Sequence, residues 1–310
     1  MPARNQNRHE RGSVTILALW GVALIAVMLA AAGFTSRIEV RITENAVGTS
    51  RARLAAEAGT QLGLERLLDR RGRGVAEFDG RAENWKDGSI RVDISIVEEA
   101  GKIDLNEAPA ELLAGLFVAV GRGRDEAGLL ACAILDWRGE TADFCPEPGS
   151  AVAPQNHRFA VPEELAQLPG FDEALYQAIA DYVTVATGAS AIDPLVAART
   201  VLLAIPGATP ELVDAFLESR DMWRDAAAGG AGGAGLGAEM ALVPAASFLM
   251  ASPRRDFTIE AVATAGSARY RADLQVRLTD LPRHPYEILA MRAVSTDRRR
   301  VESAPPRRVP

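Results

Sequence analysis

The sequence predicts an α+β protein: a long N-terminal helix packed on a small antiparallel sheet, with a large all-helical domain inserted between the strands. Three observations carry this. Residues 13–36, SVTILALWGVALIAVMLAAAGFTS, are 24 residues without a charge that run directly into a charged helical pattern. Clean two-residue alternation, the mark of half-buried strands, shows at 89–97 and then again only from Phe257 onward. Between these stretches, helix-turn-helix patterns recur. A lone early strand is not stable unpaired, so the simplest solution pairs it with the late strands and makes the helical block an insertion.

The N-terminal segment comes first in the chain and sets its address. A helix rising ~1.5 Å per residue needs ~20 apolar residues to cross a ~30 Å hydrocarbon core, and residues 13–36 are long enough. Arg4, Arg8 and Arg11 precede the run and Gly12 closes the leader. Lys and Arg resist translocation, so residues 1–12 stay cytoplasmic and everything after Arg37 is exported. A secretory h-region spans only ~7–15 residues and ends in a small-residue cleavage site; this run is longer and continues as helix. A leader ending in glycine before such a helix resembles a type IV prepilin. The resemblance implies a cut by prepilin peptidase between Gly12 and Ser13, N-methylation of Ser13, and retention of the apolar helix. An uncleaved signal anchor is the alternative. Most pilins carry Glu at the fifth mature position, which here is Leu17. A buried charge without a partner is costly, and a subunit with no neighbour above it gains nothing from that Glu. In lacking it the segment resembles the K-class minor pseudopilin of type II secretion, which sits at the pseudopilus tip; a degenerate signal anchor lacks it too.

Residues 37–70 keep a helical period through Ile38, Ile42, Ala55, Ala58, Leu62, Leu64, Leu67 and Leu68, with charges on the other faces. The membrane helix therefore runs on as one rod into the periplasm. Residues 71–100 form the first strand region. Gly72, Gly74 and Gly80 break the helix, Trp85 to Gly88 read as a turn, and Ile90, Val92, Ile94 and Ile96 give one face of a strand. Residues 101–225 are the inserted helical domain. Asn106 reads as an N-cap with Pro109 in the first turn. Leu112, Leu113, Leu116 and Phe117 make one apolar side and Leu129, Leu130, Ile134 and Leu135 the next. Residues 226–252, opening AAAGGAGGAGLG, are a flexible connector. Residues 253–295 supply the C-terminal strands, with a hairpin at Ala265-Gly266-Ser267 and a third strand over 286–294. Residues 296–310 read as a disordered tail.

Within the insertion, Leu168-Pro169-Gly170 and Ile205-Pro206-Gly207 occupy the same place in two helical pairs, and Ile103-Asp104 reappears as Ile192-Asp193. These repeats resemble SAM-like or helix-hairpin-helix modules, which elsewhere bind DNA phosphates through backbone amides at a glycine turn. The formal net charge of −7 and pI near 5.2 argue against a nucleic-acid partner, as do Asp172, Glu173, Asp181 and Asp193 near the turns. The repeats are read as packing modules. A membrane-anchored DNA-uptake protein is the alternative, as is a minor pilin of a true type IV pilus.

Taken in order, the leader ending at Gly12, Leu17, the RARLAAEAG of 51–59, the GKIDLNEAP of 101–109, the AILDWR of 133–138 and the late strands resemble the K-class pseudopilins over nearly the whole chain. That resemblance implies a pilin-like head and a place in the inner membrane with the bulk of the chain periplasmic. It implies as partners the I-class and J-class minor pseudopilins, the major pseudopilin, the assembly platform and prepilin peptidase. It implies a tip complex that starts pseudopilus assembly and supports export of folded proteins across the outer membrane.

No GxSxG, GxxxxGK[ST], CxxC or HExxH motif is present, and His9, His157 and His284 are scattered. The chain is therefore read as a non-enzyme. Cys132 and Cys145 either pair in an oxidising periplasm or remain two thiols. Asp136, Glu140 and Asp143, with Glu147 nearby, lie in one short loop after a helix; K-class members carry calcium in the helical domain, so calcium is the one cofactor implied. A solvated acidic loop is the alternative.

Overall fold

A computed structural model describes residues 10–69, 78, 80–140, 143, 145, 157–228 and 246–295; within the first of these, side chains are described for residues 16–28 and from residue 43 on. Helix α1 (Glu10–Asp69) is one rod of 60 residues, about 90 Å long at 1.5 Å per residue. Its last third lies on a five-stranded antiparallel sheet of strand order β1-β2-β5-β6-β7. These strands are β1 (Glu83–Asp87), β2 (Ile90–Glu98), β5 (Asp256–Ala265), β6 (Ala268–Leu281) and β7 (His284–Ser295). The early strand does pair with the late ones: β2 meets β5 from Ile90↔Ala265 to Glu98↔Phe257.

The alternation in β2 has a direct result. Val92, Ile94 and Ile96 share one buried face with Ile259, Ala261 and Ala263 of β5 and Ala272, Leu274 and Val276 of β6. That face receives Ala55, Ala56, Leu64 and Leu67 of α1. The helix sits very close. A Cβ on Gly59 would come within 2.7 Å of Val92 and 2.8 Å of Ala261, and one on Gly63 within 2.4 Å of Ile259. At β5–β6 the chain turns in two residues, with Gly266 at φ 61° where an L side chain is strained.

The span between β2 and β5 holds a second core. It contains β3 (Ile103–Asp104), α2 (Ala110–Ala119), α3 (Arg124–Arg138), a 3₁₀ turn (Pro162–Gln167), α4 (Glu173–Ile179), β4 (Val183–Thr184), α5 (Arg199–Leu203), α6 (Pro210–Ala228) and a second 3₁₀ turn (Ala246–Phe248). Leu112, Leu113, Leu116, Phe117, Ile134, Leu165, Leu175 and Val201 are buried together. Phe117 meets Phe171 edge-on at 5.6 Å, and Trp137 stacks on Phe159. Helices α2 and α5 cross at Gly115, where a Cβ would stand 1.9 Å from the carbonyl oxygen of Ala204.

Four local expectations differ from the structure. Trp85 to Asp87 belong to β1, because their backbone pairs with β2 up to Asp87↔Ile90 and leaves only Gly88 and Ser89 for the turn. The insertion is not wholly helical: β3 and β4 pair in parallel. Asn106 does not cap α2, whose N-cap is Pro109; its side chain is spent elsewhere, as described below. Of residues 226–252, 226–228 end α6 and 246–252 are folded against the insertion, while 229–245 lie outside the described residues. Residues 1–9 of the expected leader and the expected tail from 296 also lie outside them.

The close crossing at Gly115 makes a specific expectation. Gly115→Ala must push α2 off α5, an overpacking change worth about 1–3 kcal/mol. Gly48→Ala, whose Cβ would meet ordinary contacts at 3.5 Å or more, gains helix propensity of up to about 1 kcal/mol. Urea unfolding of the two variants should move the midpoint in opposite directions.

Candidate functional site

Three regions bear on function: the N-terminal rod, the duplicated insertion, and the joint where the insertion meets the sheet. On the rod, Gly12 and Ser13 fall inside the helical backbone of α1. The large apolar side chains from Ile16 to Met28 are 58–72 % exposed all round the helix. None of the described residues covers them, which is the pattern of a helix whose surroundings come from outside. Among the described residues no helix is long and apolar enough to cross a membrane. Residues 13–15 and 29–36 of the expected span have side chains outside that description.

The insertion is built twice from the same parts. In the first copy, Ile103 and Leu105 donate backbone bonds to Tyr182 and Thr184 (2.9 and 2.8 Å). In the second, Ile192 donates to Phe248 (3.0 Å) and accepts from Met250 (2.9 Å). Each Ile is followed by a buried Asp that organises its loop. Asp104 Oδ1 accepts from the N–H of Asn106 (2.8 Å), and Oδ2 accepts from the N–H of Thr187 (3.0 Å), the Thr187 hydroxyl (2.8 Å) and the N–H of Gly188 (2.9 Å). Asp193 Oδ1 accepts from the N–H of Leu195 and Oδ2 from the N–H of Ser252, both at 2.9 Å. A carboxylate accepting several N–H bonds needs no cation.

Each loop is then held by a buried arginine. Arg138 at the end of α3 donates through Nη1 to the carbonyls of Leu105 and Ala108, both at 3.1 Å. Arg220 on α6 donates through Nη1 to the carbonyls of Pro194 (3.0 Å) and Ala197 (2.7 Å), the equivalent places in the second copy. Burial lowers the pKa of Arg138, opposed by Glu140. Asn106 adds a two-way clamp on Phe159, accepting from its N–H at 2.7 Å and donating to its carbonyl at 3.0 Å. The two arginines carried a signal in the sequence. Arg138 continues the apolar stripe of Leu130, Ile134 and Leu135, and Arg220 that of Val213, Phe216 and Leu217; a cation on a buried stripe calls for acceptors.

Cys132 on α3 and Cys145 are joined by a disulfide, with Cα atoms 5.6 Å apart. Of the acidic residues beside it, Glu140 is bound to Arg138 at 2.6 Å, and among the described residues no group of three His, Cys, Asp or Glu side chains comes together. Glu147 lies outside the described residues.

At the joint, β2 ends in Glu98, which is buried and accepts a hydrogen bond from the Ser252 hydroxyl. Burial pushes the Glu98 carboxyl up; the Ser252 bond opposes this, and the charges of Asp193 and Asp256 add to it. Asp256 is likewise raised by burial against the pull of its partner Arg277 at 2.7 Å. Arg277 also donates to the carbonyl of Ala186 (2.6 Å), so the pair ties the first copy of the insertion to β6. A carboxyl whose folded pKa is raised binds its proton more tightly in the folded than in the unfolded state. Its contribution to stability is full below the ordinary carboxylate range and is lost as pH rises through the folded value. Glu98→Gln should therefore raise the melting temperature at pH 7 and leave it nearly unchanged at pH 4, read by thermal unfolding across that range. Cys132→Ser with Cys145→Ser should lower the unfolding free energy by about 3 kcal/mol, the loop-closure value for a span of this size, measured in urea.

Comparison with known proteins places this architecture. Residues 92–188, which run from β2 to the end of the first copy, match the family model described as type II secretion system (T2SS), protein K. No curated protein matches the chain. Among solved structures, a chain of the GspK-GspI-GspJ complex from the type 2 secretion system of enterotoxigenic Escherichia coli is similar in fold. Its TM-score is 0.53 at 13 % identity, over 83 % of this chain and 100 % of that one. The region organised by Asp104, Asn106 and Arg138 is thus the part of the chain that matches the protein K family of type II secretion, and the chain as a whole resembles that complex's chain in fold.

Proposed function

We propose that the chain sits at the tip of the type II secretion pseudopilus, where it starts assembly and supports export of folded proteins across the outer membrane. The observation that carries this is the bare apolar stretch of α1 over residues 16–28, on the same rod that carries the folded head. Such a helix is stable in lipid, and it is equally stable against similar helices, so it serves first as an anchor and then as a docking handle. On this reading residues 1–12 are a prepilin leader, Ser13 is the methylated first residue, and the anchor is single-pass in the inner membrane with the head in the periplasm. The sheet with α1 is a pilin-like head, and the insertion is a pair of SAM-like, helix-hairpin-helix units used for packing. Such a bulky insertion suits a tip, since it would clash inside a regular filament.

Partners follow from the same reading. The similar chain was solved together with GspI and GspJ, which supports I-class and J-class minor pseudopilins as neighbours here. The major pseudopilin, the assembly platform and prepilin peptidase complete the set. Mass spectrometry of the intact protein tests the reading. The mature chain should begin at N-methyl-Ser13 in cells with prepilin peptidase and keep residues 1–12 in cells without it. A chain that keeps its leader in both, or that has lost residues 13–36, overturns it.

A further inference from the structure

Helix α1 gives the sheet a near end and a far end. Gly48 of α1 stands against Ala265 and Ala268, and Gly63 against Ile259. Counted from its N-terminus, the rod meets the β5–β6 turn first and the Glu98 end of β2 last. With residues 13–36 in a membrane, the turn end of the sheet faces the bilayer. The insertion, which departs at Glu98, stands at the far end. Charge is divided along the same axis. Residues 101–225 hold 20 acidic and 8 basic residues, a net of −12, and the rest of the chain holds 21 and 26, a net of +5.

Basic side chains gather at the turn end. The register sets Lys86 opposite Arg91, Arg91 opposite Thr264, and Thr264 opposite Arg269. Residues directly opposite share a face, so three cations stand in one row across the sheet, on the face turned away from α1. All three are exposed, and among the described residues none has an ion-pair partner. Of the carboxylates nearby, Asp93 is bonded to Asn84 at 2.5 Å, and Asp87 lies on the other face of β1, opposite Ile90. On α1 at the same level, Arg51 and Glu44 balance each other. Like charges set directly opposite, as Lys86 and Arg91 are, weaken a strand pair. The row therefore costs the fold something and holds nothing in it together. The sequence adds to the row. Strand β7 ends at Ser295, opposite Tyr270 and next to the Arg269 level. Residues 296–310, TDRRRVESAPPRRVP, follow with five arginines against two acids, three of the arginines within five residues of the strand.

We infer that the row of Lys86, Arg91 and Arg269, with the arginines that follow β7, is a docking surface for the anionic lipid headgroups of the membrane that holds the rod. Reach supports this. Ser36, the last residue of the uncharged run, is 12 residues before Gly48, about 18 Å along the helix. Headgroups fill about 5–7 Å of that. The remaining gap of about 12 Å is close to the Debye length of ~8–10 Å, and long Lys and Arg side chains narrow it further. An extended chain covers about 3.3 Å per residue, so Arg298 to Arg300 can reach about 10–17 Å beyond Ser295, and Arg307 and Arg308 about 40 Å. Guanidinium groups bind phosphate through paired, charge-assisted hydrogen bonds. The same surface repels the acidic insertion. The two effects act together to hold the sheet down and the insertion outward. The inference rests on the anchor proposed above and adds what the head does at the bilayer: it sets the height and tilt of the rod.

The test uses the full-length chain reconstituted in vesicles, with a donor dye on Ser267→Cys at the turn and an acceptor dye on the lipid headgroups. Cys132 and Cys145 are bonded to each other, so the new thiol is the one that labels. In vesicles of about one-third phosphatidylglycerol, energy transfer should be at least twofold higher than in pure phosphatidylcholine. It should fall back to the neutral level in about 1 M salt, where the Debye length is ~3 Å. A variant with Lys86, Arg91, Arg269, Arg298, Arg299 and Arg300 all changed to Gln should lose the rise. Its melting temperature should not fall, because the three strand positions are exposed and a like-charge pair is relieved. Equal transfer in the two lipids, or a rise that survives the six changes, overturns the inference and leaves the anchor standing. If the lipids make no difference and the variant instead loses co-purified I-class and J-class subunits, the cations serve a protein and the inference is overturned. A chain that enters neither kind of vesicle overturns the anchor, and the inference falls with it.

Discussion

The constraint on which the sheet half of this protein depends is how closely α1 approaches the sheet. Gly59 and Gly63, flanked by Ala55 and Ala56, let the helix backbone settle onto Val92, Ile94, Ile259 and Ala261. Close approach brings many apolar atoms into contact at once, and packing at interior density is what turns a marginal sheet into a fixed one. It also fixes the direction of the rod. The apolar segment near the N-terminus is thereby aimed by the head, even though none of the described residues covers it.

The insertion solves a different problem. Its helices are short, and short helices have little stability of their own. Their positions come from loops rather than lengths. Asp104 and Asp193 gather backbone N–H groups from chain segments far away in sequence, and Arg138 and Arg220 gather carbonyls. Each copy thus satisfies its buried backbone groups with one anionic and one cationic side chain that never meet as a simple pair. Removing either would leave buried groups without partners, the costliest kind of loss in a core.

Much of this was legible from residue pattern. The alternation of Ile90 to Ile96 and of Ala268 to Leu278 named the strands, and the need to pair a lone strand supplied the insertion. The recurrence of Ile-Asp marked the duplication. What pattern did not reveal was long-range polar bonding. Asn106 has the right type and place for an N-cap, yet its partner is Phe159, far along the chain. Trp85 to Asp87 look like a turn because their charges and Gly88 dominate the local composition, and only pairing with β2 makes them a strand. Among the acidic residues after α3, Glu140 is bound to Arg138, a partnership that residue type does not reveal.

Strand β2 and strand β5 are antiparallel neighbours, and Glu98 stands directly across from Phe257. Two residues of linker would be enough to join them. The chain instead departs at Glu98, folds a complete second body, and returns at Ser252 within hydrogen-bonding reach of where it left. The sheet is therefore a plain meander with a domain spliced into a single bend. Such a splice leaves the meander's own register untouched, so the size and shape of the spliced body are free to diverge between lineages while the rod and the sheet that aims it stay the same.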